Sequence, residues 1–304
     1  MPHVHTKYQS IGREGDPVIL LIMGLASALA AWPDSFCEGL AAKEFRIIRF
    51  DNRDIGRSTH LTQLGAPDLR AMIAKLESGQ PDSSPYSLDD MATDAAGLLA
   101  ALGVGRAHVA GASMGGMIAQ LMALNHPAKV KSLISIMSTT GRPEVSQPQP
   151  EAFAAMMTPP ASPGLEDRIA RSLKVWRIIG SPAFPQREEE LLSFVTRNVE
   201  YAPYDPAGIA RQTAAVFAAP PRNDRLKTLR IPALVIHGGD DPLIPPSGGE
   251  DTANSIPGAE RLIVPGAGHD LPEALVPVYV QAIGEFVARV ERATPQSIVR
   301  LAHD

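Results

Sequence analysis

Gly111-Ala112-Ser113-Met114-Gly115-Gly116 is the stretch that decides how this chain folds. Ahead of it, Ala107-His108-Val109-Ala110 reads as a short buried strand, and after it Met117 to Asn125 reads as a helix. A serine centred in G-x-S-x-G between a strand and a helix marks a nucleophile elbow. The turn is so sharp that a side chain on Gly111 or Gly115 would collide with neighbouring backbone, and the serine itself is forced into unfavourable dihedrals. Its hydroxyl then projects over a helix N-terminus, where free N–H groups favour negative charge. The hexapeptide alone is weak, because small residues recur by chance. Its meaning depends on what the rest of the chain supplies.

On the N-terminal side, Val18-Ile19-Leu20-Leu21-Ile22-Met23 is apolar at every position, as expected for a strand covered on both faces. His3 to Gly12 and Phe45 to Phe50 read as further strands around it, with a helix over Trp32 to Ala42. Ser87 to Leu102 reads as a helix opened by a capping box, Ser87 with Asp90 in place of the usual Glu. On the C-terminal side, Val130 to Met137, Pro232 to His237 and Glu260 to Val264 read as strands, and Ser247 to Ser255 and Leu275 to Arg292 as helices. Strands alternating with helices predict an α/β fold with a mainly parallel central sheet flanked by helices. Between residues 141 and 225 the alternation stops: six prolines from Pro143 to Pro163 precede helical patches at about 165–180, 186–199 and 206–218. This predicts a mostly helical insertion over 141–225, after the sixth strand, between two parts of a core, 1–140 and 226–304. The last dozen residues are expected to be a mobile tail.

Composition narrows the function. The 304 residues are 44% hydrophobic and 20% charged, ordinary for a globular protein, and the net charge of −5 without a basic cluster argues against a nucleic-acid partner. The apolar run from Val18 to Trp32 is too short for a membrane span, is interrupted by Gly24 and Ser27, and is flanked by Asp16 and Asp34. The first residues do not read as a signal peptide, so no membrane association is expected and the cytoplasm is the expected location. Cys37 is the only cysteine; it reads as a small buried apolar residue and fits a reducing compartment.

A serine hydroxyl needs a base, and the base needs an orienter. Two late segments offer them: His237-Gly238-Gly239-Asp240-Asp241-Pro242 after one strand, and Pro265-Gly266-Ala267-Gly268-His269 after the next. Ligands in open α/β sheets gather beyond the carboxyl ends of the strands, where both segments fall. Asp241 is favoured over Asp240 because Pro242 fixes its loop and removes a competing donor. His269 is favoured over His237, which lies inside a strand pattern and reads as structural. The loop one strand earlier, Ser138-Thr139-Thr140, holds no carboxylate, so the later loop is the better choice for the acid. The candidate triad is therefore Ser113, Asp241 and His269. The oxyanion formed on attack needs N–H donors, assigned to the backbone of Met114 and of Leu25, which follows Gly24.

These segments together resemble an α/β-hydrolase of the aclacinomycin methylesterase-like group. The resemblance is carried by Met23-Gly24-Leu25, Phe50 to Ser58, Gly111 to Gly116, His237 to Pro242 and Gly268-His269, and spans about residues 15 to 290. It departs from the commonest pattern at Met23, where many relatives have His. It implies a core sheet with a helical cap over the nucleophile and a hydrolase without a cofactor. The Asp51–Ser58 loop is expected to brace the site through Arg53 and Asp54. No His/Cys/Asp cluster has metal-ligand spacing, so no metal is expected. The expected reaction is hydrolysis of a carboxylic ester of a small to medium apolar molecule by way of an acyl-enzyme. Lactone, thioester or C–C cleavage and cofactor-free perhydrolysis are alternatives from the same triad, and a non-catalytic small-ligand receptor is a remote one. Met23, Met137, Trp176 and Phe217 are candidate pocket residues. The partners are then a small-molecule ester and water, acting on a monomer or homodimer.

Overall fold

The computed structural model describes residues 4–78, 80 and 84–293. Among these residues seven strands form: β1 (Tyr8–Ile11), β2 (Val18–Ile22), β3 (Arg46–Phe50), β4 (Ala107–Ala112), β5 (Val130–Ile136), β6 (Ala233–Gly238) and β7 (Glu260–Val264). They make one sheet in the order β1-β3-β2-β4-β5-β6-β7, antiparallel only at the β1–β3 edge. The helices of the described residues are α1 (Asp34–Ala41), α2 (Leu69–Glu77), α3 (Leu88–Ala101), α4 (Met114–Asn125), α5 (Pro150–Met157), α6 (Leu165–Ile179), α7 (Glu188–Glu200), α8 (Pro206–Phe217), α9 (Asn223–Leu226), α10 (Pro246–Ser255) and α11 (Val276–Ala293). Ser87 caps α3 with the reciprocal Asp90 bond that the sequence predicts.

The continuous apolar run of β2 has a direct cause. Leu20 and Ile22 pack with α3 and α4 side chains such as Met91 and Ile118 on one face, while Ile19 and Leu21 pack with Phe36 and Phe286 of α1 and α11 on the other. Both faces of the strand are dry, so alternation is lost. From β2 the chain crosses to β3 on one side and later returns to β4 on the other. The strand order therefore reverses between β2 and β4, which places a crevice at their carboxyl ends.

The helical insertion follows β5, the fifth strand among the described residues, and not a sixth as the sequence reading has it. It also contains α5, which that reading passes over because of its prolines. Pro150 occupies the first turn of α5, where its missing N–H costs nothing. The first strand begins at Tyr8, later than expected. The tail expected over the last dozen residues lies, apart from Ala293, outside the described residues.

Cys37 is fully buried, which pushes its thiol up to about 11. His108, inside β4, has no exposed surface; Nδ1 lies 2.7 Å from Ser132 Oγ and Nε2 lies 2.8 Å from Glu291 Oε1. Burial pushes this imidazole down to about 4, although Glu291 pulls the other way; Glu291 is shared with Lys131 Nζ at 2.5 Å. An unfolded imidazole titrates near 6.5, so between those pH values the unfolded chain binds a proton that the folded chain refuses. Folding stability will thus fall as the pH drops from about 6.5 to about 4, by up to about 3 kcal/mol from this residue. Urea titrations across that range should show a shallower pH slope in His108→Gln; an unchanged slope would mean that His108 is protonated in the fold.

Candidate active site

Ser113 sits directly beyond β4 at φ 56°, ψ −124°, outside the regions a serine normally adopts. The surroundings impose this. A Cβ on Gly111 would lie 2.0 Å from Gly115 O, and one on Gly115 would lie 2.0 Å from Ile22 O, so no other residue type fits either place. The serine backbone is held by its N–H to Ile136 O (2.9 Å) and by Ser138 Oγ donating to its carbonyl (2.8 Å). Neighbouring strands thus over-determine the strained residue, a pattern that clusters at functional sites.

Asp241 lies in the turn after β6 and is 3% exposed. Its Oδ1 accepts from the N–H groups of Leu243 and Ile244, both at 2.9 Å, and its Oδ2 accepts from His269 Nδ1 at 2.7 Å. Burial alone pushes this carboxyl up; the charge of His269 and hydrogen bonds from His237 and His269 overcome it and hold the group at about 2. Asp241 therefore stays ionised at working pH, and the shared proton belongs to His269 Nδ1, which leaves Nε2 as an acceptor. His237, inside β6, donates Nε2–H to Ile244 O (2.8 Å) and lies 3.5 Å from Asp241 Oδ2. Asp240 accepts from Gly266 N–H (2.8 Å) at an exposed position and ties the two loops together.

The loop after β7 that carries His269 is fastened to the helical insertion. His269 N–H donates to Ile179 O (2.7 Å), and Gly268 N–H donates to Ser181 Oγ (2.9 Å), which in turn donates to Asp270 Oδ1 (2.5 Å). Burial pushes the Asp270 carboxyl up. Among the described residues neither Ser113 Oγ nor His269 Nε2 has a hydrogen-bond partner, so the serine–imidazole contact is the one link of the set that is not closed. Such contacts commonly tighten only with substrate in place.

The loop after β2 lies against the serine, since β2 and β4 are neighbours and a Cβ on Gly24 would come within 3.0 Å of Ser113 Cβ. Neither Leu25 N–H nor Met114 N–H meets an acceptor among the described residues; Met114 opens α4, where the first N–H groups have no partner within the helix. On either side of Leu25 the loop is pinned. Asn52 Nδ2 donates to Met23 O (2.9 Å), and Ala26 N–H donates to Gln212 Oε1 (3.0 Å). Sequence reasoning misses both Asn52 and Gln212. It names Arg53 and Asp54 instead, whose side chains face elsewhere: Arg53 forks onto Asp94 of α3, and Asp54 pairs with Arg211 of α8 with both side chains fully buried.

Of the candidate pocket residues, Met23 and Met137 are largely buried in the core layer on the α1–α11 side. Met137 directly follows β5 and has φ 41°. Trp176 of α6 meets Phe194 of α7 edge-on with ring centroids 5.3 Å apart, and Phe217 ends α8 half-buried. Elsewhere, Asp54, His60 and Asp205 approach one another closely enough to suggest a cation site. Arg211 already supplies the positive charge there, 2.7 Å from Asp54 Oδ1 and 3.5 Å from Asp205 Oδ2.

A strained serine beyond β4, unpaired N–H groups beside it, and a carboxylate–imidazole pair beyond β6 and β7 thus lie at one end of a doubly covered parallel sheet. A family model described as alpha/beta hydrolase fold matches residues 17–273. The chain belongs to the alpha/beta hydrolase fold family. Within it, the chain is similar to rhodomycin D methylesterase DnrP of Streptomyces peucetius, with 30% identity over 88% of this chain and 89% of that protein. It is equally similar to rhodomycin D methylesterase DauP of Streptomyces sp. (strain C5), with 31% identity and the same coverage. These relatives bear out the resemblance to the aclacinomycin methylesterase-like group. Among solved structures, the enol-lactonase from Burkholderia xenovorans LB400 aligns with a TM-score of 0.70 over 94% of this chain and 97% of that one, at 21% identity, a likeness of fold. The family and the methylesterase relatives support an ester-cleaving alpha/beta hydrolase. No helix of the described residues is long and apolar enough to cross a membrane.

Proposed function

We propose that the chain is a serine hydrolase that cleaves a carboxylic ester of a small to medium apolar molecule through an acyl-enzyme, with Ser113 as nucleophile, His269 as base and Asp241 as orienter. The observation that carries this reading is the Asp241–His269 hydrogen bond, 2.7 Å long, in loops that leave the sheet at the same end as Ser113. His269 Nε2 takes the Ser113 proton as Oγ attacks the ester carbonyl. The N–H groups of Leu25 and Met114 receive the oxyanion. The imidazolium returns its proton to the departing alkoxide, and the alcohol leaves. Water then gives a proton to His269, attacks the acyl-enzyme, and releases the acid and the free serine. Asp241, held ionised, keeps the imidazole turned and stabilises its protonated form.

Helices α5 to α8 act as a cap, over 141–225, between two core segments, 1–140 and 226–304, and Met23, Met137, Trp176 and Phe217 line the substrate space beneath it. The names of the methylesterase relatives support a small alcohol as the leaving group, with the acid half of the substrate beneath the cap. The buried Cys37 fits a reducing compartment such as the cytoplasm.

A panel of methyl, ethyl and p-nitrophenyl esters, lactones and thioesters tests the reading with wild type and Ser113→Ala side by side. The carboxylic esters should give the highest kcat/KM in wild type, and the variant should lose that turnover by several orders of magnitude. Lactone or thioester turnover at least about tenfold faster than ester turnover, a difference of about 1.4 kcal/mol in the transition state, would reassign the substrate class.

A further inference from the structure

Gln212 lies on α8 in the helical insertion, far in sequence from any of the loops described above, and its side chain is fully buried. Its amide spans two of those loops. Oε1 accepts the Ala26 N–H at 3.0 Å, and Nε2 donates to Arg53 O at 2.8 Å. One partner is a donor and the other an acceptor, so the amide has one satisfied orientation and cannot flip without losing both bonds. The residue it holds, Ala26, stands at φ 57°, a left-handed conformation that alanine adopts only under constraint. The anchor itself is rigid. Next to Gln212, Arg211 forks onto Asp54 at 2.8 and 2.7 Å and donates to Gly65 O at 2.6 Å, which docks α8 onto the core. Between the Asn52 bond to Met23 O and the Gln212 bond to Ala26 N–H lie only Gly24 and Leu25.

We propose that Gln212 is a positioning residue for the oxyanion hole: through Ala26 it fixes the direction of the Leu25 N–H, so the insertion sets the strength of a donor in the core. This rests on the ester-hydrolase reading and adds to it a link between the seating of α8 and the chemical step. The bond from Gln212 occupies the Ala26 N–H, while the neighbouring Leu25 N–H meets no acceptor among the described residues. A donor displaced from the oxyanion loses transition-state stabilisation while the ground-state ester, bound elsewhere, is little affected.

The test measures kcat, KM, thermal midpoint and inhibition by an alkylboronic acid, whose tetrahedral serine adduct places an oxygen in the oxyanion hole. In Gln212→Leu, kcat should fall about 10- to 100-fold with KM changed less than about threefold. The boronic-acid inhibition constant should rise by the same factor as kcat/KM falls. Gln212→Glu keeps an acceptor for Ala26 N–H and should recover part of kcat. If Gln212→Leu does not fold, Gln212→Asn decides. Its amide is one methylene too short to reach both partners, and the same selective fall in kcat is expected. A wild-type kcat and inhibition constant in whichever of Gln212→Leu and Gln212→Asn folds would overturn the proposal. So would a loss confined to KM or to thermal stability. The ester-hydrolase reading is judged separately: if wild type turns over esters and Ser113→Ala does not, that reading stands whatever Gln212 does.

Discussion

Ser113→Ala should lower kcat for p-nitrophenyl butyrate by about 10⁶-fold, while circular dichroism and the thermal midpoint stay at wild-type values. The size of the effect follows from the position of the residue. Removing a nucleophile removes the covalent route altogether, and what remains is whatever the oxyanion donors and binding alone can do for attack by water. The fold should tolerate the change because the elbow is imposed by Gly111 and Gly115 against the backbone of their neighbours, and the contacts that hold residue 113 go to its backbone N–H and carbonyl. The hydroxyl itself has no hydrogen-bond partner among the described residues, so its loss leaves no group unsatisfied. Turnover retained within about tenfold of wild type would assign the nucleophile to another residue.

Asp241→Asn should cost about 10⁴-fold in kcat. The carboxylate accepts three close hydrogen bonds, from Leu243 N–H, Ile244 N–H and His269 Nδ1–H. An amide has one acceptor oxygen for all three. If that oxygen faces Leu243 and Ile244, the amide nitrogen faces His269 and drives the imidazole to the tautomer with its proton on Nε2, which cannot accept from the serine. Asp240→Asn should stay within about twofold of wild type, since the side-chain bond from Gly266 N–H survives on the amide oxygen and the site is exposed. Steady-state kinetics on the two variants decides between the neighbouring aspartates. A larger loss at 240 than at 241 would transfer the orienting role.

Much of this architecture is legible in the sequence because it is written locally. The apolar run of β2, the Ser87–Asp90 cap and the strand–glycine–serine–glycine–helix order each lie within a few residues, and short-range sterics read them the same way in the chain as in the fold. The pairing of an aspartate loop with a histidine loop is also legible, because parallel strands deliver consecutive loops to one edge. What escapes the sequence is polar and distant. Ala26 and Gln212 are 186 residues apart, and Asp54 and Arg211 are 157 apart. Arg211, Gln212 and Thr213 stand consecutively on α8 and all three are buried, which no amphipathic period predicts for such residues. Their burial follows from partners on the core, and those partners appear only once the insertion is folded down.

The most direct measurement of the central claim is peptide mass mapping after treatment with a fluorophosphonate, which transfers its phosphonyl group to a serine made nucleophilic by an adjacent base. One phosphonyl group per chain is expected, on the peptide containing Ser113, with loss of ester turnover in proportion to labelling and slow labelling in His269→Ala. Modification at another residue, or full ester turnover in a chain whose Ser113 is completely phosphonylated, would contradict it.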